Sequence, residues 1–177
     1  MKALRTLLLL GFATTTSAQG TPPATAAAPG CGADNTKFEV TTAKSQHPIS
    51  KPNPGKALIY FLQDDSYFEN MPRPATRFGL DGEWIGATHA NSYFYISVDP
   101  GDHHLCANWQ NFLGVRTTFK SAATHFTAEP DRVYYYVVSD FYIENHGPAT
   151  IKINPLDSDQ AQLLMSKFAF STSKAKK

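Results

Sequence analysis

Short β-type segments separated by strong turn sequences are the feature that most constrains this fold. In most of them apolar or β-branched residues alternate with polar ones, which puts successive side chains on opposite faces of a sheet. Asp81-Gly82 is a strong hairpin sequence, and Asp99-Pro100-Gly101-Asp102 is a turn in which proline fixes φ and glycine accepts a positive φ. The segments that we expect as strands are 56–61, 76–80, 83–88, 92–98, 103–109, 115–119, 123–127 and 133–138, with 38–42 as an edge strand.

The spacing of these segments predicts the fold class. Short strands with a turn about every eight to twelve residues favour an all-β fold of sandwich-like antiparallel sheets. One helix is expected near the C-terminus, because Asp157 is a good N-cap and Gln160 follows it in a capping-box arrangement. Its apolar residues recur at helical spacing and should pack on one face of a sheet: Ala161, Leu164, Met165 and Phe168.

The N-terminus has the pattern of a secretory signal peptide. Lys2 and Arg5 supply positive charge, Leu7–Ala13 is a short apolar stretch, and Thr16-Ser17-Ala18 offers the small residues that a signal peptidase reads. We therefore expect residues 1–18 to be removed near Ala18 and the mature protein to be periplasmic or extracellular. The alternatives are a buried N-terminal helix and a lipid anchor on Cys31, but that cysteine lies far beyond the end of the apolar stretch.

Composition divides the rest of the chain into three parts. Residues 19–37 begin with a run of Thr, Ala, Pro and Gly that contains no large apolar residue, so we expect a flexible leader. Residues 38–170 are expected to form a single β-sandwich domain, with a loose, proline-containing region at 45–55. Residues 171–177 are rich in Ser and Lys and are expected to be a disordered basic tail.

The overall charge excludes some classes of partner. The 177 residues are 42% hydrophobic and 18% charged with a formal net charge of +1, which is unlike a disordered chain and gives no nucleic-acid footprint. No apolar run approaches the roughly 20 residues that a membrane-spanning helix needs. We therefore expect neither a nucleic-acid partner nor a transmembrane segment.

Four motifs in order resemble a family of small exported bacterial domains of unknown function: Pro54–Tyr60, Leu80–Gly86, Asp99–His103 and Val133–Tyr136. The hairpin within them is also similar to that of PEGA-type β domains, in which Asp-Gly-x-x-x-Gly precedes a Pro-Gly-x-His turn. The resemblance extends over roughly residues 54–168. It implies an all-β sandwich-like fold and an envelope location, and it implies no catalytic residue.

Cys31 and Cys106, the two cysteines of the chain, both remain after signal cleavage. Two cysteines in an exported chain most simply form a disulfide, with free thiols or pairing to another chain as alternatives. A metal site would have to combine His104 and Cys106 on one strand face with His89 or His125. Because the tight local spacing of a structural zinc site is missing, we expect no metal and no cofactor.

Enzyme signatures are sparse. Ser171 and Lys174 have S-x-x-K spacing, but they lie in the expected tail, where a nucleophile would not be held in position. Asp64, Asp65 and Glu69 offer a carboxylate pair, but a solvated loop is the more ordinary interpretation. We therefore expect no catalytic residues.

Aromatic residues give the clearest indication of function. Exposed Tyr and Trp rings make flat contact surfaces for sugars or peptides, although ordinary packing on both sheet faces is the alternative. The candidate binding residues are Tyr67, Phe68, Trp84, Tyr93, Tyr95, Trp109, Tyr134 and Tyr136. The expected recognition loop is 64–75, which contains Met71-Pro72-Arg73-Pro74. We expect a non-catalytic envelope domain that binds a cell-wall glycan, another polysaccharide or a protein; the alternatives are a secreted enzyme inhibitor and a small hydrolase.

Overall fold

A computed structural model describes residues 31–69, 72–110, 121–143 and 148–176. The expected signal peptide, residues 19–30 of the expected leader and the expected strand at 115–119 lie outside these ranges. The described chain contains ten strands and one helix, and their bounds are β1 Phe38–Ala43, β2 Ala57–Phe68, β3 Ala75–Leu80, β4 Glu83–His89, β5 Ser92–Val98, β6 Gly101–Trp109, β7 Ser121–Ala128, β8 Val133–Tyr142, β9 Thr150–Pro155, α1 Ser158–Met165 and β10 Ala169–Ala175.

The strands form two sheets, which confirms the all-β prediction. Sheet A has the order β1-β10-β5-β2-β8-β9, and sheet B has the order β4-β3-β6-β7. The sheets were expected to be antiparallel, but two pairs of strands are parallel: β2 with β8, and β5 with β10. Between β2 and β8 the chain passes through sheet B, and such a long connection permits a parallel pair.

The main core lies between the two sheets. Ile59 and Phe61 of β2 pack there against Phe78 of β3 and Trp109 of β6. A second apolar cluster covers the outer face of sheet A, where Tyr60 and other β2 side chains meet α1 and Phe168. The predicted helix is confirmed, including its cap, since Asp157 accepts hydrogen bonds from the backbone N–H groups of the first helical turn.

The predicted turn at Asp81-Gly82 is also confirmed. Asp81 has a φ of 50° and Gly82 a φ of 89°, which is the pair of positive values that a two-residue type I′ hairpin requires. This turn connects β3 directly to β4. Within the described ranges, no helix is long and apolar enough to cross a membrane.

Two expectations about loose segments are wrong. β2 continues to Phe68, so residues 64–68 of the expected loop 64–75 are strand, because Asp65 finds buried partners that its polarity did not suggest. Residues 171–175 of the expected tail belong to β10, which pairs along its length with β1. Only Ala169 and Ser171 of β10 are buried, so most of its Ser, Thr and Lys side chains lie exposed and the strand needs few apolar residues.

Candidate functional site

A buried polar cluster joins the two sheets at the end of β2. Gln63 and Asp65 on β2 and Asp140 on β8 point between the sheets and are at most 1% exposed. The side-chain amide of Gln63 donates to Asp65 Oδ1 at 2.9 Å and to Asp140 Oδ2 at 2.8 Å. One amide group therefore bridges two carboxyl groups from neighbouring strands.

Sheet B supplies further donors to this cluster. The indole Nε1 of Trp109 on β6 donates to Asp140 Oδ1 at 2.8 Å. The Thr76 hydroxyl on β3 donates to Asp140 Oδ2 at 3.3 Å, and the Thr88 hydroxyl on β4 donates to Gln63 Oε1 at 2.6 Å. Because buried polar groups are costly without partners, these bonds fix Gln63 and Asp140 in one arrangement.

Asp65 is less completely satisfied than Asp140. Its Oδ2 is buried and has no hydrogen-bond partner within the described ranges. Burial raises the pKa of Asp65, although hydrogen bonds within the cluster oppose the shift. Burial also raises the pKa of Asp140 well above its ordinary value, and the adjacent carboxyl of Asp65 adds to this. Two neighbouring carboxylates cannot both ionise cheaply in a dry interior, so this arrangement disfavours a charge on both groups at once.

A β-bulge separates the buried Asp65 from an exposed aromatic residue. The register of β2 against β8 shifts between Asp64 and Tyr67. Beyond the bulge, Tyr67 lies opposite Phe141, with the two ring centroids 6.1 Å apart. Tyr67 is 63% exposed and Phe141 is 40% exposed. This pair therefore offers aromatic surface at the end of the β2–β8 pair.

A shallow hollow of about 490 Å³ lies beside this aromatic pair. Ser139 is opposite Lys152, and Phe141 is opposite Thr150, in the β8–β9 register. Since alternate residues of a strand share a face, these four side chains line one face of sheet A, and Pro148 completes the lining. We call this surface the β8–β9 hollow; it consists of Tyr67, Ser139, Phe141, Pro148, Thr150 and Lys152.

The β8–β9 hollow continues the outer face of sheet A beyond its covered part. Val137, two residues before Ser139, packs in the outer cluster together with Met165 of α1. Phe141 has the same strand parity as Val137, whereas Asp140 points to the inner face. The buried carboxyl pair and the hollow therefore lie on opposite faces of sheet A.

Four of the expected binding residues lie in the core instead: Phe68, Tyr93, Trp109 and Tyr136, each at most 5% exposed. Their burial agrees with the interpretation that the aromatic triplets serve ordinary packing on both sheet faces. Sheet B covers the inner face of sheet A, and the outer face is covered by α1 and by the 44–55 segment. That segment is held in place by Ser50 N, which donates to Tyr60 Oη at 2.7 Å.

Three more of the expected aromatic residues, Trp84, Tyr95 and Tyr134, are half-buried in packing contacts. Tyr95 lies against Tyr60, with ring centroids 5.2 Å apart, and Tyr134 lies at the same distance from Phe126. The Trp84 ring lies 4.2 Å from the guanidinium carbon of Arg77. Of the eight candidates, only Tyr67 is largely exposed.

The predicted disulfide between Cys31 and Cys106 is confirmed. The residues that follow Cys31 are held on the outer face of sheet B, which corrects the expectation of a flexible leader for 31–37. Ala33 O accepts a hydrogen bond from Trp84 Nε1 at 2.8 Å, and Asp34 O accepts one from Arg77 Nη1 at 3.0 Å.

His103 connects two turns. Its Nδ1 lies 2.6 Å from Asp81 Oδ2, and its Nε2 lies 2.8 Å from the carbonyl oxygen of Asp99. Both neighbours are acceptors, so the cationic ring, with a proton on each nitrogen, is the form that satisfies both contacts. Burial lowers the pKa of His103, but its bonds to Asp99 and Asp81 outweigh burial and raise the pKa above its ordinary value.

The structure does not bring the candidate metal-binding and S-x-x-K residues together in a site. Cys106 is in the disulfide, so its sulfur is not a thiolate ligand for a metal beside His104. Within the part of the chain that the structure describes, no group of three or more His, Cys, Asp or Glu residues is placed to hold a metal ion. Ser171 is buried while Lys174 is exposed, and residues three apart on a strand point to opposite faces.

Gln63, Asp140 and Phe141 were not predicted from the sequence as site residues. The strand pattern could have indicated the first two, because each is a polar residue at a position where the pattern predicts an inward-facing apolar one. Gln63 comes two residues after Phe61, and Asp140 comes two residues after Val138. For Phe141 the pairing of β8 with β2 was needed, since it brings Tyr67 alongside.

A family model for proteins of unknown function (DUF2846) matches residues 53–149, more than half of the chain. The likeness of the hairpin to PEGA-type domains stays a prediction. No curated protein and no solved structure matches the chain. Because this family match covers more than half of the chain, the chain belongs to the DUF2846 family.

Proposed function

We propose that this protein is an exported, non-catalytic domain of the bacterial envelope that binds a polysaccharide at the β8–β9 hollow. The exposed Tyr67–Phe141 pair carries the proposal, because an aromatic face takes up the apolar face of a sugar ring at little entropic cost. Ser139, Thr150 and Lys152 supply donors for sugar hydroxyl groups from the same face.

Two observations support export. The first 18 residues have the charge, apolar stretch and small residues of a signal peptide. The Cys31–Cys106 disulfide is compatible with the oxidising environment outside the cytoplasm.

The described lining of the hollow offers an aromatic ring and polar donors for binding. Among the described residues that line it there is no carboxylate and no imidazole, which are the usual acid–base groups. Asp65 and Asp140 have strongly perturbed environments, but both point between the sheets on the opposite face of sheet A. They are therefore not placed to reach a ligand in the hollow.

A co-sedimentation assay tests the proposal. The mature, oxidised protein is mixed with insoluble peptidoglycan and, separately, with purified envelope polysaccharides. We expect binding to at least one of them, and we expect Tyr67→Ala and Phe141→Ala each to weaken it about tenfold or more, since burying such a ring contributes about 1.5–3 kcal/mol.

Leu163→Ala is the matched control, because Leu163 is also a large, half-exposed apolar residue but lies on α1. It should leave binding unchanged. Absence of binding to every glycan, or equal binding by the aromatic variants, would overturn the proposal. Retention of one protein from an envelope extract that is lost in both aromatic variants would point instead to a protein ligand.

A further inference from the structure

The buried carboxyl pair has too few donors for two negative charges. Asp140 accepts from Gln63, Thr76 and Trp109, whereas the donor to Asp65 among the described residues is Gln63, and the other side-chain partner of Asp65 is the carboxyl of Asp140 itself. The Gln63 amide also lies 3.1 Å from the carbonyl oxygen of Pro74, so its two hydrogens face three acceptors. A proton on the pair would supply the missing donor.

The Asp65 Oδ2 atom also indicates a proton on the pair. It is buried and has no partner among the described residues, so an ionised Asp65 would leave part of a buried charge uncompensated. A shared proton removes that charge without any further side chain.

The basic side chains near the pair do not replace the proton. Arg73, between β2 and β3, and His89, at the end of β4, act on Asp65 electrostatically. Within the described ranges neither forms an ion pair with it, and Arg73 is exposed. The titratable group that acts on Asp140 is Asp65 itself.

The pair is connected directly to the proposed binding surface. Asp65 lies inside the β2 bulge, two residues before Tyr67, and Asp140 immediately precedes Phe141. A backbone shift at either aspartate would therefore also move an exposed ring.

We propose that Asp65 and Asp140 form a binding site for a single proton, which holds the β2 bulge together and keeps Tyr67 beside Phe141. Release of the proton at rising pH places two like charges in contact between the sheets and separates the two aromatic residues. This inference concerns regulation of the β8–β9 hollow, and it rests on the proposed function only for what the hollow binds.

Trp109 reports on the pair, because its indole N–H donates to Asp140. The chain has two tryptophans, so Trp84→Phe leaves Trp109 as the only one. In this variant we expect Trp109 emission to titrate with a midpoint well above the ordinary carboxyl value of about 4. Adding Asp140→Asn should abolish the titration, since an amide does not ionise. A flat emission profile, or the same titration with Asp140→Asn, would overturn the proposal.

A second measurement does not depend on any variant folding. In the wild-type protein labelled with ¹³C at aspartate carboxyl groups, one aspartate signal should titrate at the high midpoint, and the ring signals of Tyr67 and Phe141 should shift with it. If the carboxyl titrates while the ring signals of Tyr67 and Phe141 do not shift, the proposal that the carboxyl pair controls the aromatic surface is disproved. Glycan binding is measured in a separate experiment. The titration can therefore be interpreted even if the protein binds no glycan.

Discussion

Trp109 donates its indole N–H to Asp140 Oδ1 at 2.8 Å, and this bond links β6 of sheet B to β8 of sheet A. Trp109 is 1% exposed and also packs edge-on against Phe68, with ring centroids 6.0 Å apart. One side chain thus contributes to the apolar core and to the polar cluster at once.

Trp109→Phe should therefore destabilise the protein by about 2–3 kcal/mol, because it removes a buried donor to a carboxyl group and leaves a small void. Equilibrium unfolding in urea measures the change. Trp84→Phe is the control, and it should cost about 1 kcal/mol or less because the Trp84 bond to Ala33 O is exposed. Equal losses in both variants would contradict the importance given to the Asp140 bond.

Asp140→Asn should change the pH dependence of stability. The pKa values of Asp65 and Asp140 are raised in the folded state, so the folded protein binds more protons than the unfolded chain above about pH 4. Wild-type stability should fall as pH rises from there until the raised pKa is passed. In the Asn variant the fall should be much smaller, and unfolding curves measured from pH 4 to 9 would show it. Parallel curves for the two proteins would count against a proton on the pair.

His103 should make a separate contribution to pH dependence. Its pKa is raised above 6.5 in the folded state, so its stabilising effect is complete below that value and is lost as pH rises through the folded pKa. The stability advantage of wild type over His103→Gln should therefore be largest in mild acid and should shrink in mild base. An advantage of the same size at every pH would contradict this contribution of His103.

The Cys31–Cys106 disulfide closes a loop with a sequence separation of 75. In the chain-entropy model a loop of this length contributes about 4 kcal/mol, chiefly by restricting the unfolded chain. A Cys31→Ala/Cys106→Ala double variant should lose up to that amount in urea unfolding of the mature protein. Reduction of the wild type should produce the same loss, whereas the double variant should not respond to reductant. Unchanged stability of the double variant would show that the bond does not hold the N-terminal segment to sheet B.

Gly82 should tolerate asparagine better than alanine. Its φ of 89° lies in a region that L-residues avoid, and asparagine enters that region more readily than alanine. Gly82→Ala should cost about 1 kcal/mol or more, and Gly82→Asn should cost less. The midpoints of thermal unfolding give the comparison, and the reverse order would be inconsistent with the type I′ turn.

Local chemistry was enough to predict much of the fold. Asp81-Gly82 specifies a positive φ at two consecutive residues, and Asp157 caps a helix, whatever the rest of the chain does. β9 was missed although Ile151 and Ile153 alternate inward, because this pattern spans few residues. β10 is rich in Ser, Thr and Lys, and it pairs with β1 and β5 on either side.

The candidate site was less predictable because it depends on long-range pairing. Tyr67 was singled out correctly as an exposed aromatic residue, but nothing near it in sequence indicates Phe141 as its neighbour. Asp65 looked like a loop residue, and its burial depends on Gln63 and on the distant Asp140. Aromatic content alone did not separate core rings from exposed rings, because both faces of sheet A are largely covered.

The most direct test of the central claim is to map ligand contacts by NMR on the mature, oxidised protein titrated with soluble peptidoglycan or polysaccharide fragments. We predict that the chemical-shift changes concentrate at the end of β2 and along β8 and β9, with Tyr67, Phe141 and Lys152 among the largest. Changes centred on α1 and the 44–55 segment, or none at saturating ligand, would contradict a glycan-binding β8–β9 hollow.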